Sequence, residues 1–530
     1  MRREQVFWGW GEPGAGPSLG ETAVPLLRDT LGVDGRVVSR PVALDDVRLA
    51  PSALAGDVRA TLQQIVGAEH VRDDREARVL RCRGKSYLDL LAQRLGDCES
   101  APDAVVAPAD HDQVRAVLQR CSDTGVAVVP FGGGTSVVGG LEAERGRHAA
   151  VISLDLARMA ALVEVDRTSL TALIAPGMRL PEADRALGAH GLALGHVPQS
   201  YEWATVGGCV ATRSAGQTST GHGRIDEQVV ALRAATPLGD LATLDAPASA
   251  AGPSLQQLLI GSEGALGVIT QVALRVRPAP EARRYEGFFF RDFATGCEAL
   301  RTLEQDALAP DVARLSDEDE TRTTLAFAGA RGAARALLRA RGRGDGCLLV
   351  AGWEGAEEAV ARRRAATVQR LRRAGAMATG QRVGRAWAAT RFAGPHLRDD
   401  LLDRGVLVET LETATSWSNL ARLHAAVRSA LAGTLRGCHV SHLYPTGASL
   451  YFTVFARQDA GDPAGQWRTL KAAATDAIVA AGGTITHHHA VGRDHARWLE
   501  AEVGPLGVEL LRAVKERCDP AGIMNPGVLL

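Results

Sequence analysis

Three glycine-rich segments carry the residue types and spacing in this 530-residue chain that can do chemistry. The first is Pro130, Phe131, Gly132, Gly133, Gly134, Thr135 and Ser136, directly after the short apolar run 126–129. Consecutive glycines let a backbone approach a ligand closely, and successive N–H groups with Thr and Ser hydroxyls line a concavity suited to phosphate oxygens. The second begins at His196 and includes Pro198, Ser200, Ala204, Thr205, Gly207, Gly208, Ala211, Thr212, Arg213 and Ser214. A glycine pair among hydroxyls, with few bulky charges, suits a backbone-lined groove for an extended cofactor. The third is Gly261, Ser262, Glu263, Gly264, Ala265, Leu266, Gly267, Val268 and Ile269, glycines again feeding a strand. Each alone reads equally well as a turn, but three in this order point to one cofactor. A Rossmann fingerprint requires strand, GxGxxG and helix in sequence. Gly14, Gly16 and Gly20 have the wrong spacing and follow no strand, and no Walker A sequence occurs.

The elements that would hold these segments alternate helix and strand from about Ala101 onward. Asp110 can cap a helix whose stripe Val114, Val117, Leu118 and Cys121 has the spacing of one buried face, and Gly125 ends it. Strands are predicted at 126–129, 150–154, 169–175, 229–235 and 268–276, and again at 347–351 and 450–455. Pro278 and Pro280 break the pattern and suggest a domain boundary. Residues 329–346 are compositionally biased and read as a solvated helix with an exposed loop.

Composition sets the outer bounds. Sixty basic residues stand against 61 acidic ones, a net −1, with 46% hydrophobic and 23% charged residues. This is a globular balance that excludes disorder, and it offers no basic field for nucleic acid, which is not an expected partner. Only Lys85, Lys471 and Lys515 are lysines; every other Lys-or-Arg position is arginine. Eight scattered cysteines with no CxxC pair read as reduced thiols. No apolar run approaches the roughly 20 residues of a membrane span. With a start that lacks a signal-peptide stretch, the expectation is a cytoplasmic protein.

The glycine segments, taken in order, resemble the flavin-binding domain of the vanillyl-alcohol oxidase and p-cresol methylhydroxylase superfamily. The runs 7–11, 198–208, 409–417, 438–452 and 485–492, the last holding His487, His488, His489 and Gly492, narrow the resemblance to the alkyldihydroxyacetonephosphate synthase family. It extends from about residue 7 to Leu530. The resemblance implies an α+β fold, with a two-subdomain FAD-binding domain and an α/β cap, or substrate, domain built on an antiparallel sheet. It divides the chain into an N-terminal helical segment (1–95), the FAD-binding domain (96–280), the cap (281–480) and a C-terminal segment (481–530) that returns to the flavin. The first loop would grip the FAD pyrophosphate and the later segments would wrap adenine, ribose and isoalloxazine. With no His in the first loop, non-covalent FAD is expected.

The implied reaction has no net oxidation: the acyl chain of acyl-dihydroxyacetone phosphate is exchanged for a fatty alcohol, a step of ether lipid synthesis. The implied partner is a small lipid with a phosphate head group; a peripheral membrane contact and a homodimer stay open. By the same resemblance, Tyr451 matches an acid/base tyrosine and His487, His488 and His489 an essential histidine cluster. Arg314 matches an arginine important for activity, and Arg398 a substrate-binding arginine. The chemistry agrees, since arginine's planar fork suits phosphate and a proton beside a carbonyl needs a group that can take and return it. Read as strand residues, His487 and His489 face one way and His488 the other, so no metal is expected from the triplet. Two alternatives remain: an FAD-linked D-2-hydroxy acid dehydrogenase or oxidase, and a non-catalytic flavin-binding paralogue. Some such dehydrogenases carry a two-histidine metal motif in the cap sheet. Residues 442–451 here lack its second ligand.

Overall fold

In the computed structural model, residues 3–328, 340, 342 and 344–530 are described. The helix predicted after Asp110 spans His111–Thr124; the Asp110 carboxylate accepts the Gln113 N–H, and Gly125 ends the helix at φ 65°. Its apolar face packs on a four-stranded sheet of β1 (Val71–Arg72), β2 (Ala104–Val106), β3 (Val126–Phe131) and β4 (Ala150–Asp155). The order is β1-β2-β4-β3, with β2, β4 and β3 parallel and β1 antiparallel. β4 is buried along its whole length, as parallel strands covered on both faces must be.

The next strands are β5 (Leu162–Asp166), β6 (Thr171–Ile174), β7 (Leu192–Ala193), β8 (Val229–Ala235), β9 (Asp240–Ala242), β10 (Val268–Arg275) and β11 (Arg277–Pro278). Five of them form an antiparallel sheet in the order β5-β6-β10-β8-β9, and β7 pairs with β11. The glycine segments lie at the strand ends of these sheets: one leaves β3, one precedes β8 and one enters β10.

After Pro280 the chain builds a larger antiparallel sheet from β12 (Ala282–Phe290), β13 (Val312–Ser316), β14 (Cys347–Gly355), β15 (Met377–Gly380), β16 (Val406–Ser416), β17 (Leu435–Tyr444) and β18 (Gly447–Arg457). Its order is β15-β12-β14-β13-β17-β18-β16. Side chains alternate between faces with period two. On β18, Phe452 and Val454 point into a core shared with helices Phe293–Gln305, Glu357–Arg373, Leu420–Ala430 and Pro463–Ala480, whereas Tyr451, Thr453 and Phe455 line a cavity. Phe452 is fully buried, and truncating it to Ala would cost about 3–5 kcal/mol. One face of the cap sheet therefore holds the domain together and the other is free for chemistry.

The last helix, Leu499–Cys518, is interrupted at Gly504 and Pro505, and the chain then runs back to β3. There the Val128 N–H donates to the Ile523 carbonyl at 2.8 Å, and the Asn525 N–H to the Val128 carbonyl at 2.9 Å. No helix among the described residues is long and apolar enough to cross a membrane. Most of the biased stretch 329–346 lies outside the described residues.

Candidate active site

A cavity of about 740 Å³ lies between the glycine loops and the inner face of the cap sheet. Of the cofactor residues expected from sequence, all line it except Arg213 and Gly261. Those two pack on one another: a Cβ at Gly261 would sit 2.7 Å from Arg213 Nε, and the guanidinium is turned to Gln257 and Asp226. The first two glycine segments interlock. A Cβ on Gly133 would come within 2.2 Å of the Trp203 carbonyl oxygen, so this glycine permits loop-on-loop contact and not only ligand approach. The N–H groups of Gly133, Gly134, Thr135 and Ser136 find no protein acceptor among the described residues, which leaves donors for the phosphates of a bound dinucleotide. Glu263 ties the third segment to the C-terminal segment, accepting the Val491 N–H at 2.9 Å and the Gly492 N–H at 2.9 Å. Burial pushes its carboxyl up to about 7.

Tyr451 stands on the cap wall opposite these loops. Its ring stacks on His439 at 4.9 Å and meets His488 at 6.0 Å and His489 at 5.7 Å, edge-on to the latter. Burial pushes its hydroxyl up to about 12, so it is protonated at neutral pH. Arg314 lies on the same face and donates from Nη2 to Glu320 Oε1 at 2.8 Å, while His439 Nδ1 contacts the same oxygen at 2.9 Å. Burial alone would raise the Glu320 carboxyl, but His439 and Arg314 bring it down to about 2. This buried carboxylate orients both the arginine and the imidazole beneath Tyr451.

The histidine triplet does not form the expected strand. Residues 487–489 are loop, wrapped around the buried Glu412 carboxylate of β16. Glu412 accepts the His487 N–H, the His488 N–H at 3.1 Å, the His489 N–H at 2.7 Å and the Thr486 hydroxyl at 2.7 Å. Four donors to one carboxylate replace ladder pairing, so the strand alternation fails. His488 and His489 line the cavity. His487 does not: its Nε2 meets the Tyr444 hydroxyl at 2.6 Å and its Nδ1 meets His488 Nδ1 at 2.8 Å. Burial lowers all three imidazoles, His488 to about 3, which keeps them neutral.

Arg398 also reaches the cavity. Its Nη1 donates to the Lys85 carbonyl at 2.8 Å and its Nη2 to Asp399 at 3.3 Å, but its buried Nε has no partner. Beside it Lys85 Nζ donates to the Val6 and Phe7 carbonyls at 2.8 and 3.0 Å, and burial pulls the ammonium down to about 7. Asp399 in turn accepts the Trp10 N–H at 2.5 Å, so the N-terminal strap is fastened over this cationic corner. A separate apolar limb of the cavity is lined by Leu19, Phe327, Leu401, Val408 and Phe455.

Sequence reasoning missed Lys85, Glu320, Glu412, His439 and His442. Glu412, His439 and His442 lie inside runs that carried the family resemblance, but only the sheet register shows which way they face. Lys85 left one signal: it is one of three lysines in a chain otherwise furnished with arginine.

A backbone-lined cavity beneath an antiparallel cap defines a flavoprotein of the FAD-linked oxidase class. Residues 102–245 match the FAD binding domain family and residues 279–529 the C-terminal domain of FAD linked oxidases. The cofactor is FAD. The chain belongs to the alkyldihydroxyacetonephosphate synthase family: it is 32% identical over 481 residues to the Dictyostelium discoideum alkyldihydroxyacetonephosphate synthase, covering 87% of this chain and 79% of that protein. The Trypanosoma brucei brucei enzyme of that name is 29% identical, with 99% of this chain and 92% of that one covered. A solved alkyldihydroxyacetonephosphate synthase superposes with TM-score 0.85 at 27% identity, covering 99% of this chain and 98% of that one. p-Cresol methylhydroxylase shares the fold, with TM-score 0.67 at 16% identity over 90% of this chain and 98% of that one.

Proposed function

We propose that this protein is a FAD-dependent alkyldihydroxyacetonephosphate synthase that replaces the acyl chain of acyl-dihydroxyacetone phosphate with a fatty alcohol. The observation that carries this reading is the convergence, in one cavity, of the glycine loops, a cationic corner, a protonated tyrosine and an apolar limb. Bound FAD supplies a conjugated ring that can accept and return an electron pair. It would be held non-covalently by the first glycine loop and by the segments around Thr205, Gly208 and Gly264.

Each wall then has a task. Arg398, with a free Nε, and the Lys85 ammonium bind the phosphate head group. The apolar limb takes the long chain and excludes water. Tyr451 holds a proton at its hydroxyl and passes it to and from the substrate carbon beside the ketone. The neutral imidazole of His489 lies beside it as a second proton acceptor. Glu320 and His439 position Arg314 and the tyrosine ring. A cytoplasmic location with a peripheral membrane contact belongs to the same proposal, supported by the exposed Leu506 and Leu510 one turn apart on the last helix.

The test is to mix the oxidised holoprotein anaerobically with palmitoyl-dihydroxyacetone phosphate or with a D-2-hydroxy acid and to follow the flavin spectrum. A synthase responds to the first and stays oxidised with the second. Full bleaching by the hydroxy acid, reversed by an electron acceptor, selects the dehydrogenase and ends this reading.

A further inference from the structure

His487 has no place in the wall just described, because it faces away from the cavity. Together with His442 and His488 it makes a second constellation. The three ring centroids are 5.0 Å apart for His442 and His487, 5.4 Å for His442 and His488, and 5.1 Å for His487 and His488. One ring nitrogen from each lies within 4.8 Å of the other two. Three imidazoles that each bind a tetrahedral ion through one nitrogen at about 2.0–2.1 Å bring their centroids to about 5 Å from one another. The rings are thus already at that spacing, and a contraction of the nitrogens completes the site.

Two further features fit. Metal-ligating histidines use their second nitrogen on an outer partner that fixes tautomer and ring orientation. His442 Nε2 donates to the Gly216 carbonyl at 2.9 Å, and His487 Nε2 faces the Tyr444 hydroxyl at 2.6 Å. The ligating nitrogen of His442 is then Nδ1, which lies 2.9 and 3.0 Å from the Ser441 and Ser449 hydroxyls, contacts that an ion would displace. The 2.8 Å contact between His487 Nδ1 and His488 Nδ1 needs a proton between two nitrogens that an ion would replace. The frame is rigid: His442 sits on β17, and Glu412 clamps the backbone of both other residues. The nearest cation, Arg224, is already engaged by Asp226 at 2.9 Å.

We propose that His442, His487 and His488 form a binding site for one zinc-class divalent cation. All-imidazole donors favour zinc, cobalt or nickel over magnesium or calcium. His442 and His488 line the cavity while His487 braces them from behind, so the fourth coordination position faces the substrate space and takes an oxygen donor. This reverses the expectation drawn from a strand, in which the triplet could not converge; the loop brings two of its members together and the cap sheet supplies the third.

The experiment uses FAD-loaded protein freed of metal by chelator dialysis, then titrated with Co²⁺ and Zn²⁺. Bound metal is counted by elemental analysis, and tetrahedral cobalt is followed at wavelengths beyond the flavin bands. One equivalent should bind. His442→Asn should weaken binding at least about tenfold, and Tyr444→Phe, which removes the outer partner of His487 without touching a ligand, by about 10–100-fold. FAD content reports that each variant is folded; should His442→Asn lose its flavin, Tyr444→Phe decides. No saturable binding, or binding that the folded variants leave unchanged, overturns the proposal. Because the readout is metal bound rather than product formed, that failure would leave the exchange reaction standing.

Discussion

Tyr451→Phe removes one hydroxyl and leaves the ring that stacks on His439 at 4.9 Å. Its neighbours Phe452 and Leu450 face the opposite core, so the strand should pack as before. The lost hydroxyl is worth about 0.5–1.5 kcal/mol of stability if it makes one net hydrogen bond. As the proton carrier it is worth far more in rate: loss of acid/base catalysis costs about 10²- to 10⁴-fold, or about 2.7–5.4 kcal/mol of barrier. The two numbers separate the roles. Thermal melting and exchange of labelled fatty alcohol should be measured on one preparation with equal FAD content. The expected pair is a small shift in melting and a collapse of exchange. A lowered melting point with near-normal exchange would make Tyr451 a packing residue and move the proton to the histidines.

Four other outcomes follow from the same geometry. Arg398→Lys should raise the substrate KM while FAD stays bound, because a point charge cannot fill the place of a planar fork with a free Nε; unchanged affinity would remove this arginine from the head-group site. Gly133→Ala should sharply lower FAD retention, since its Cβ would lie 2.2 Å from the Trp203 carbonyl, and full flavin occupancy would refute the interlocked loops. Glu412→Gln should loosen the histidine loop and cost about 1.5–3 kcal/mol in chemical denaturation, the worth of hydrogen bonds to a charged group; a stability equal to wild type would show that the charge is not needed. Stability should also fall on acidification. His196 and His495 are each brought down by burial from 6.5 to about 3, so the unfolded chain binds more protons throughout that window. Their contribution is complete above pH 6.5 and is lost as pH drops toward 3. A melting temperature flat from pH 6.5 to 4.5 would contradict this sign.

Local structure was legible in the chain where local forces decide it. The helix after Asp110 carried its cap, its stripe and its terminal glycine in the sequence, and its structure needs nothing more. The strands β3, β4, β8 and β10 were likewise legible, β3 as a short apolar run and β10 from its alternation. What was not legible depends on a distant partner. Residues 487–489 look like a strand until Glu412, some 75 residues earlier, draws their N–H groups into one carboxylate. Arg213 sits in a cofactor-binding run yet turns outward because Gly261 offers it a slot. The lysines make the same point in reverse. Lys85 and Lys471 are buried, and Lys515 Nζ is held by the Ala265 and Met524 carbonyls and Asp519 at 2.6–2.7 Å.

The most direct measurement follows radiolabelled hexadecanol into product under strict anaerobiosis, with FAD-loaded protein, palmitoyl-dihydroxyacetone phosphate and no electron acceptor. Redox-neutral exchange predicts many turnovers, with one palmitate released for each alcohol incorporated and the flavin still oxidised at the end. Incorporation that stops after a single turnover, or that needs an added acceptor, would contradict it.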